Sequence, residues 1–141
     1  MDKNLPTGKA LIQVRIMWFA LLSGQFICMG VFAVINRPKQ PLVIPLEYLV
    51  GANFLILFTV VPAAFFVRRL IFRWGEVDGV ISAQAFSRGN IIFWASCEAV
   101  SFFGLITAFI SGSWWPAIVP TVIALGLHAL TFPVGGRLDG A

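Results

Sequence analysis

Four apolar stretches, each about as long as a bilayer is thick, divide this chain. Residues 16–35, 48–67 and 91–110 form runs of twenty, and 114–132 a run of nineteen. A helix rises 1.5 Å per residue, so about 20 apolar residues cover a hydrocarbon core of roughly 30 Å. Every backbone N–H and C=O in lipid needs a partner within its own segment, so all four runs are predicted to be helices. The expected architecture is all-α: an integral membrane four-helix bundle forming one membrane domain over residues 1–141.

The polar stretches between the runs differ in kind. Residues 36–47 hold Pro38, Pro41 and Pro45 and read as a stiff, extended loop. Residues 68–90 carry Arg73, Glu76, Asp78 and Arg88 and are expected to form the main polar connection. Ser111-Gly112-Ser113 is so short that it predicts a tight antiparallel hairpin between spans three and four. The Gly-rich tail after Val134 is expected to fray. Pro62 in span two, and Pro116 and Pro120 in span four, predict local bends.

Composition reinforces this pattern. The chain is 59% hydrophobic and 11% charged, with a mean hydropathy of +0.90. A soluble domain carries about 25% charged residues, so little of this chain is left for a soluble catalytic module. The first run is longer than the roughly 7–15-residue core of a cleavable signal, so it is read as an uncleaved span. Cys28 and Cys97 both lie inside apolar runs, and no CxxC or neighbouring ligand set suggests a metal site.

Charge orients the bundle. Lys3, Lys9, Arg15, Arg68, Arg69, Arg73, Arg88 and Arg137 fall on one side of the expected membrane, and Arg37 and Lys39 on the other. The positive-inside rule then predicts a bacterial plasma-membrane protein with both termini in the cytoplasm. Arg68, Arg69, Arg73 and Arg88 flank apolar runs, where lipid headgroups are their simplest partners; they do not form the basic polar face that nucleic acid requires. Trp114, Trp115 and Tyr48 at the outer surface, and Trp74 at the inner one, read as interfacial anchors. Trp18 and Trp94 lie deeper, at positions suited to packing between helices.

Glu98 is the only charged residue within 91–110. A carboxylate in a membrane span costs at least about 2.5 kcal/mol on insertion scales, so something should offset it. Counting from the nearer span ends, Glu98 lies about 10 Å deep, Gln25 about 13 Å and His128 about 6 Å. All three are in the cytoplasmic half, and hairpin pairing of spans three and four would let Glu98 meet His128. Gln25 can hydrogen-bond either form of such a pair. Three readings of Glu98 compete: an interhelical hydrogen bond within the chain or with a partner, a proton or cation pathway, and contact with a cofactor or headgroup of a larger complex. For His128 alone the ordinary reading is a side chain snorkelling to the nearby interface. Small residues at Ala95 and Ala99, Gly104 and Ala108, and Gly24 and Cys28 permit close helix approach. Arg15, Ser23 and Gln25 match Arg88, Ser96 and Glu98 at a constant offset of 73, which suggests a duplicated hairpin.

Enzyme signatures are absent: there is no G-x-S-x-G, no Walker loop, no HExxH, and one histidine. The stretch Phe93-Trp94-Ala95-Ser96-Cys97-Glu98-Ala99, continuing to Phe109, resembles the acid-bearing helix of rotary ATP synthase proteolipid subunits. That resemblance implies a proton-carrying role for Glu98. The chain departs from the family by placing its acid on the first helix of the hairpin and by lacking the Gly-repeat inner helix, so we read the likeness as convergent. As a whole the chain resembles small four-span bacterial membrane proteins with an Arg…Ala-x-x-Glu motif opening span three, which implies no particular activity. The expected function is a non-enzymatic accessory or assembly subunit that packs against other membrane proteins or itself, without a cofactor. The alternative is a small oligomeric proton or cation conduit through Glu98, and a membrane enzyme is the third class.

Overall fold

The computed structural model describes residues 7–35 and 45–134. Lys3, Arg37, Lys39 and Arg137, the prolines at 38 and 41, and the expected fraying tail lie outside the described residues. Four helices follow one another: α1 Thr7–Ile35, α2 Leu46–Trp74, α3 Ala83–Ser111 and α4 Trp115–Leu130. The first three have 29 residues each, or about 43 Å of helix. These three are long and apolar enough to cross a membrane. The fourth has 16 residues, about 24 Å.

Both ends of the expected connection 68–90 are helical. α2 runs through Arg68, Arg69 and Arg73 to Trp74, and α3 is already under way at Ala83, so residues 75–82 alone link them. Neither arginine nor tryptophan stops a helix, so the backbone continues well past the apolar run. The stop signals come later. The Gly75 N–H returns to the Ile71 carbonyl to close α2. Two-residue strands β1 (Glu76–Val77) and β2 (Val80–Ile81) pair antiparallel. Asp78 (φ 53°) and Gly79 (φ 81°) supply the two left-handed positions of their tight turn. The Ser82 hydroxyl then caps α3 by accepting from the Ala85 N–H at 3.3 Å.

The α3–α4 hairpin is as tight as its spacing predicts. Gly112 adopts φ 59° and closes α3 by donating to the carbonyls of Ala108 and Phe109. At the far end α4 stops at Leu130, before the expected Phe132. The Thr131 hydroxyl turns back onto the carbonyls of Leu127 (2.8 Å) and His128 (3.0 Å). Pro133 follows and disfavours helix at the residue before it.

α3 is the hub of the bundle: α1, α2 and α4 all pack on it, while α1 and α2 scarcely touch. α1 runs parallel to α3, with Gln25 beside Ser101 and Phe32 beside Phe109. α2 and α4 run antiparallel to it, with Phe72 on Phe86, Phe65 on Phe93 and Trp94 on His128. The buried positions of α3 (Phe93, Trp94, Cys97, Val100, Ser101, Gly104, Leu105 and Ala108) face these three neighbours. α1 contributes the strip Ala10, Val14, Trp18 and Gln25, and exposes Phe19, Phe26 and Ile27 elsewhere. The hairpins proposed from the offset of 73 therefore pack differently: α3 and α4 form a close pair and α1 and α2 do not.

This topology gathers charge at one end. Nε of Arg15 donates to the carbonyl of Pro133 at 3.4 Å, and its guanidinium lies 5.4 Å from the Phe132 ring, so the first half of α1 packs against the segment that follows α4. The α2–α3 hairpin lies at that same end. Lys9, Arg15, Arg68, Arg69, Arg73 and Arg88 are all on this half of the bundle; among the described residues the opposite end carries no basic side chain.

Candidate functional site

A polar cluster ties three helices together inside the bundle. Gln25 on α1 and His128 on α4 are 1% and 0% exposed, and the Gln25 amide nitrogen lies 3.1 Å from His128 Nδ1. The Ser101 hydroxyl on α3 donates to the Gln25 amide oxygen at 3.4 Å. This orientation makes the amide NH₂ the donor and Nδ1 the acceptor, so the proton of the neutral imidazole sits on Nε2. Nε2 is buried and has no partner among the described residues.

Two tryptophans enclose the imidazole. The Trp94 ring stacks on it at 5.8 Å with an interplanar angle of 6°, and Trp18 meets it edge-on at 5.9 Å and 71°. Their indole N–H groups are also satisfied. Trp18 donates to the His128 carbonyl at 2.9 Å, and Trp94 donates to the Thr131 hydroxyl at 3.0 Å. His128 thus sits in a box of π-faces and fixed dipoles instead of snorkelling to the interface. The reason is visible along α3, where Trp94, Cys97 and Ser101, spaced three and four residues apart, share the stripe that faces inward.

Glu98 lies at the edge of that stripe, four residues from Trp94 and three from Ser101. It is half-buried on the α1–α3 seam, where a side chain at Gly24 would meet its Oε1 at 3.6 Å. Among the described residues it makes no hydrogen bond, to Gln25, His128 or any other group. Of the three polar residues singled out by depth, the fold joins Gln25 to His128 and leaves Glu98 hydrogen-bonded to neither. Ala95, about one turn before it, and Ala99, next to it, are exposed.

The flanking residues divide by role. Arg68 lies between the Phe72 and Phe93 rings, at 5.2 and 5.4 Å, with its Nε buried and unpaired, and Arg69 lies 4.8 Å over Phe65. Arg73 and Arg88 are exposed. Tyr48, Trp74 and Trp115 are also exposed, as anchoring at an interface requires, and Trp114 is half-buried. Trp114 lines a small apolar cavity of about 80 Å³ with Met29, Leu105 and Thr121.

Several polar groups escape a reading by depth and charge alone. Asn53 on α2 is buried with both amide atoms unpaired, and Thr121 Oγ1 is buried and unpaired beside Gly104. Asn90 donates to the Phe86 carbonyl at 2.8 Å but leaves its own oxygen unpaired. For Asn53 the available signal is a lone Asn inside a twenty-residue apolar run, since lipid offers it no partner. Among the described residues no three His, Cys, Asp or Glu side chains come together as a metal site would require. No protein-family model, curated protein or solved structure matches this chain.

Proposed function

We propose that this protein is a non-enzymatic subunit of the bacterial plasma membrane that packs laterally against other integral membrane proteins, or against itself, with both termini in the cytoplasm. The observation that carries the reading is Glu98: a carboxyl in the middle of a span, half-buried on a helix seam, with no partner within the described chain. Lipid cannot hydrogen-bond it, whereas a neighbouring helix can. Ala95 and Ala99 flank it on the same helix, and small side chains allow another helix to approach closely. The concentration of Lys9, Arg15, Arg73 and Arg88 at one end supports a cytoplasmic placement of that end.

A second reading, an oligomeric proton or cation conduit, draws support from the unpaired buried Nε2 of His128 in the same half of the bundle. Glu98→Gln separates the two. Glutamine keeps a hydrogen-bonding group but cannot exchange a proton. The packing reading expects the variant to co-purify with the same membrane proteins as the native chain after mild-detergent extraction, with unchanged proton flux in vesicles. Lost flux with intact association would replace it with the conduit. A monomer that brings down no membrane protein at native expression would reject the subunit reading.

A further inference from the structure

The junction of α2 and α3 forms an open groove of about 590 Å³ that includes Ile71, Trp74, Gly75, Arg88, Ile91 and Ile92 in its lining. That volume is in the usual range for a small-molecule site. Its floor exists because position 75 has no side chain: a Cβ there would overlap Ala85 Cβ at 2.1 Å. One wall ends in the exposed indole of Trp74 and another in the exposed guanidinium of Arg88; Gln84 adds an amide at the mouth. Further along α3 the lining turns apolar at Ile91 and Ile92, the start of the span. One groove therefore brings together a cation, an aromatic ring and an aliphatic wall, the three chemistries that meet a phospholipid at the membrane interface.

We propose that this groove is a discrete site for one anionic phospholipid, with its phosphate on Arg88 beside Trp74 and an acyl chain along Ile91 and Ile92. The inference rests on the membrane reading of the helices and not on the lateral-subunit proposal. Arg88 is distinguished from its neighbours by geometry. Arg68 and Arg69 lie over phenylalanine rings, and Arg73 is exposed but does not line the groove. Arg88 lines it and makes no hydrogen bond among the described residues. Guanidinium forks suit phosphate oxygens because two N–H groups can bond at once. Among the described residues the acids of this end, Glu76 and Asp78, belong to the β-hairpin and are not part of the lining. Charge complementarity therefore favours a headgroup with net negative charge over a zwitterionic one.

The test is native mass spectrometry of the full chain in detergent, titrated with dioleoylphosphatidylglycerol or with dioleoylphosphatidylcholine. The native chain is expected to bind its first phosphatidylglycerol about fivefold more tightly than phosphatidylcholine, the effect of one well-placed basic residue at a lipid surface. Arg88→Gln is expected to abolish that preference, while Arg73→Gln keeps it. Both side chains are exposed, so the helical circular dichroism and melting temperature of both variants should match the native chain. Equal affinity of the native chain for the two lipids would overturn the proposal. So would equal loss of preference in both variants, which would mark a diffuse basic surface with no single site.

Discussion

His128 on α4 is held by Gln25 and Trp18 of α1 and by Trp94 of α3, so its neighbours should not behave independently. Gln25→Leu removes the donor to Nδ1 and leaves both that nitrogen and the Ser101 hydroxyl buried without a partner. The expected loss is about 1–3 kcal/mol, the desolvation cost of a stranded polar group, and exceeds the roughly 0.6 kcal/mol typical of an interhelical bond in a membrane. His128→Leu strands the Gln25 amide in the same way. The double variant replaces both partners with apolar groups and should lose less than the sum of the singles. Thermal unfolding in detergent provides the cycle, and additive losses would show that the 3.1 Å contact contributes nothing. At this scale the sequence was only partly legible. Residue counting places Gln25, Glu98 and His128 at comparable depth, but depth is only one coordinate of a helix. Rotation about the axis also decides contact, and the roughly 60° between Glu98 and Ser101 is enough to give Gln25 to Ser101 and not to Glu98. Nothing in the chain marks that rotation without knowledge of which face of α3 meets which neighbour.

The ends of the elements are set by local chemistry that a hydropathy window overlooks. The apolar runs locate every helix, yet α2 continues seven residues beyond its run and α3 starts eight before its own. The signals for the true ends were present as Gly75, Asp78-Gly79 and Ser82, read there as polar loop. Two glycines then make opposite predictions. At Gly75 a methyl group would overlap Ala85 Cβ at 2.1 Å, a backbone-anchored atom that cannot rotate away. Gly75→Ala should therefore cost about 1–3 kcal/mol by overpacking and pry apart the start of α3. At Gly24 the nearest atom to a new Cβ is Glu98 Oε1 at 3.6 Å, an ordinary contact. Gly24→Ala should be neutral, or stabilising by up to about 1 kcal/mol from helix propensity. Melting curves of the two variants check the pair, and equal losses would mean that the α2–α3 junction is looser than its geometry.

At the scale of the molecule, the unequal ends predict a topology. A single cysteine replacing Asp78, at the tip of the β-hairpin, should react with a membrane-impermeant maleimide only from the cytoplasmic side of sealed vesicles. One replacing Glu47, at the start of α2, should react only from the opposite side. Both sites are exposed; Cys97 is buried and Cys28 half-buried, so replacing Cys28 with Ala clears the background. Reaction of both sites from one side would contradict the antiparallel passage of α2 through the bilayer. Each of the four apolar runs marks a helix, three of them long enough to cross a membrane and the fourth shorter than the expected span, whereas the arrangement around one central helix was not legible. Hydropathy assigns the spans similar weight, and only packing shows that α3 touches every other helix.

The hub position of α3 also sets a schedule. A chain leaves the ribosome N-terminus first, so α1 and α2 enter the bilayer before the helix they pack on exists, and they scarcely touch each other. Each waits as a separate apolar rod, one carrying Gln25 and the other Asn53 without a completed environment. Only as α3 emerges can the two be gathered, and only with α4 does Gln25 gain its histidine partner. Closure of the bundle is therefore expected to follow the emergence of α3 and then of α4.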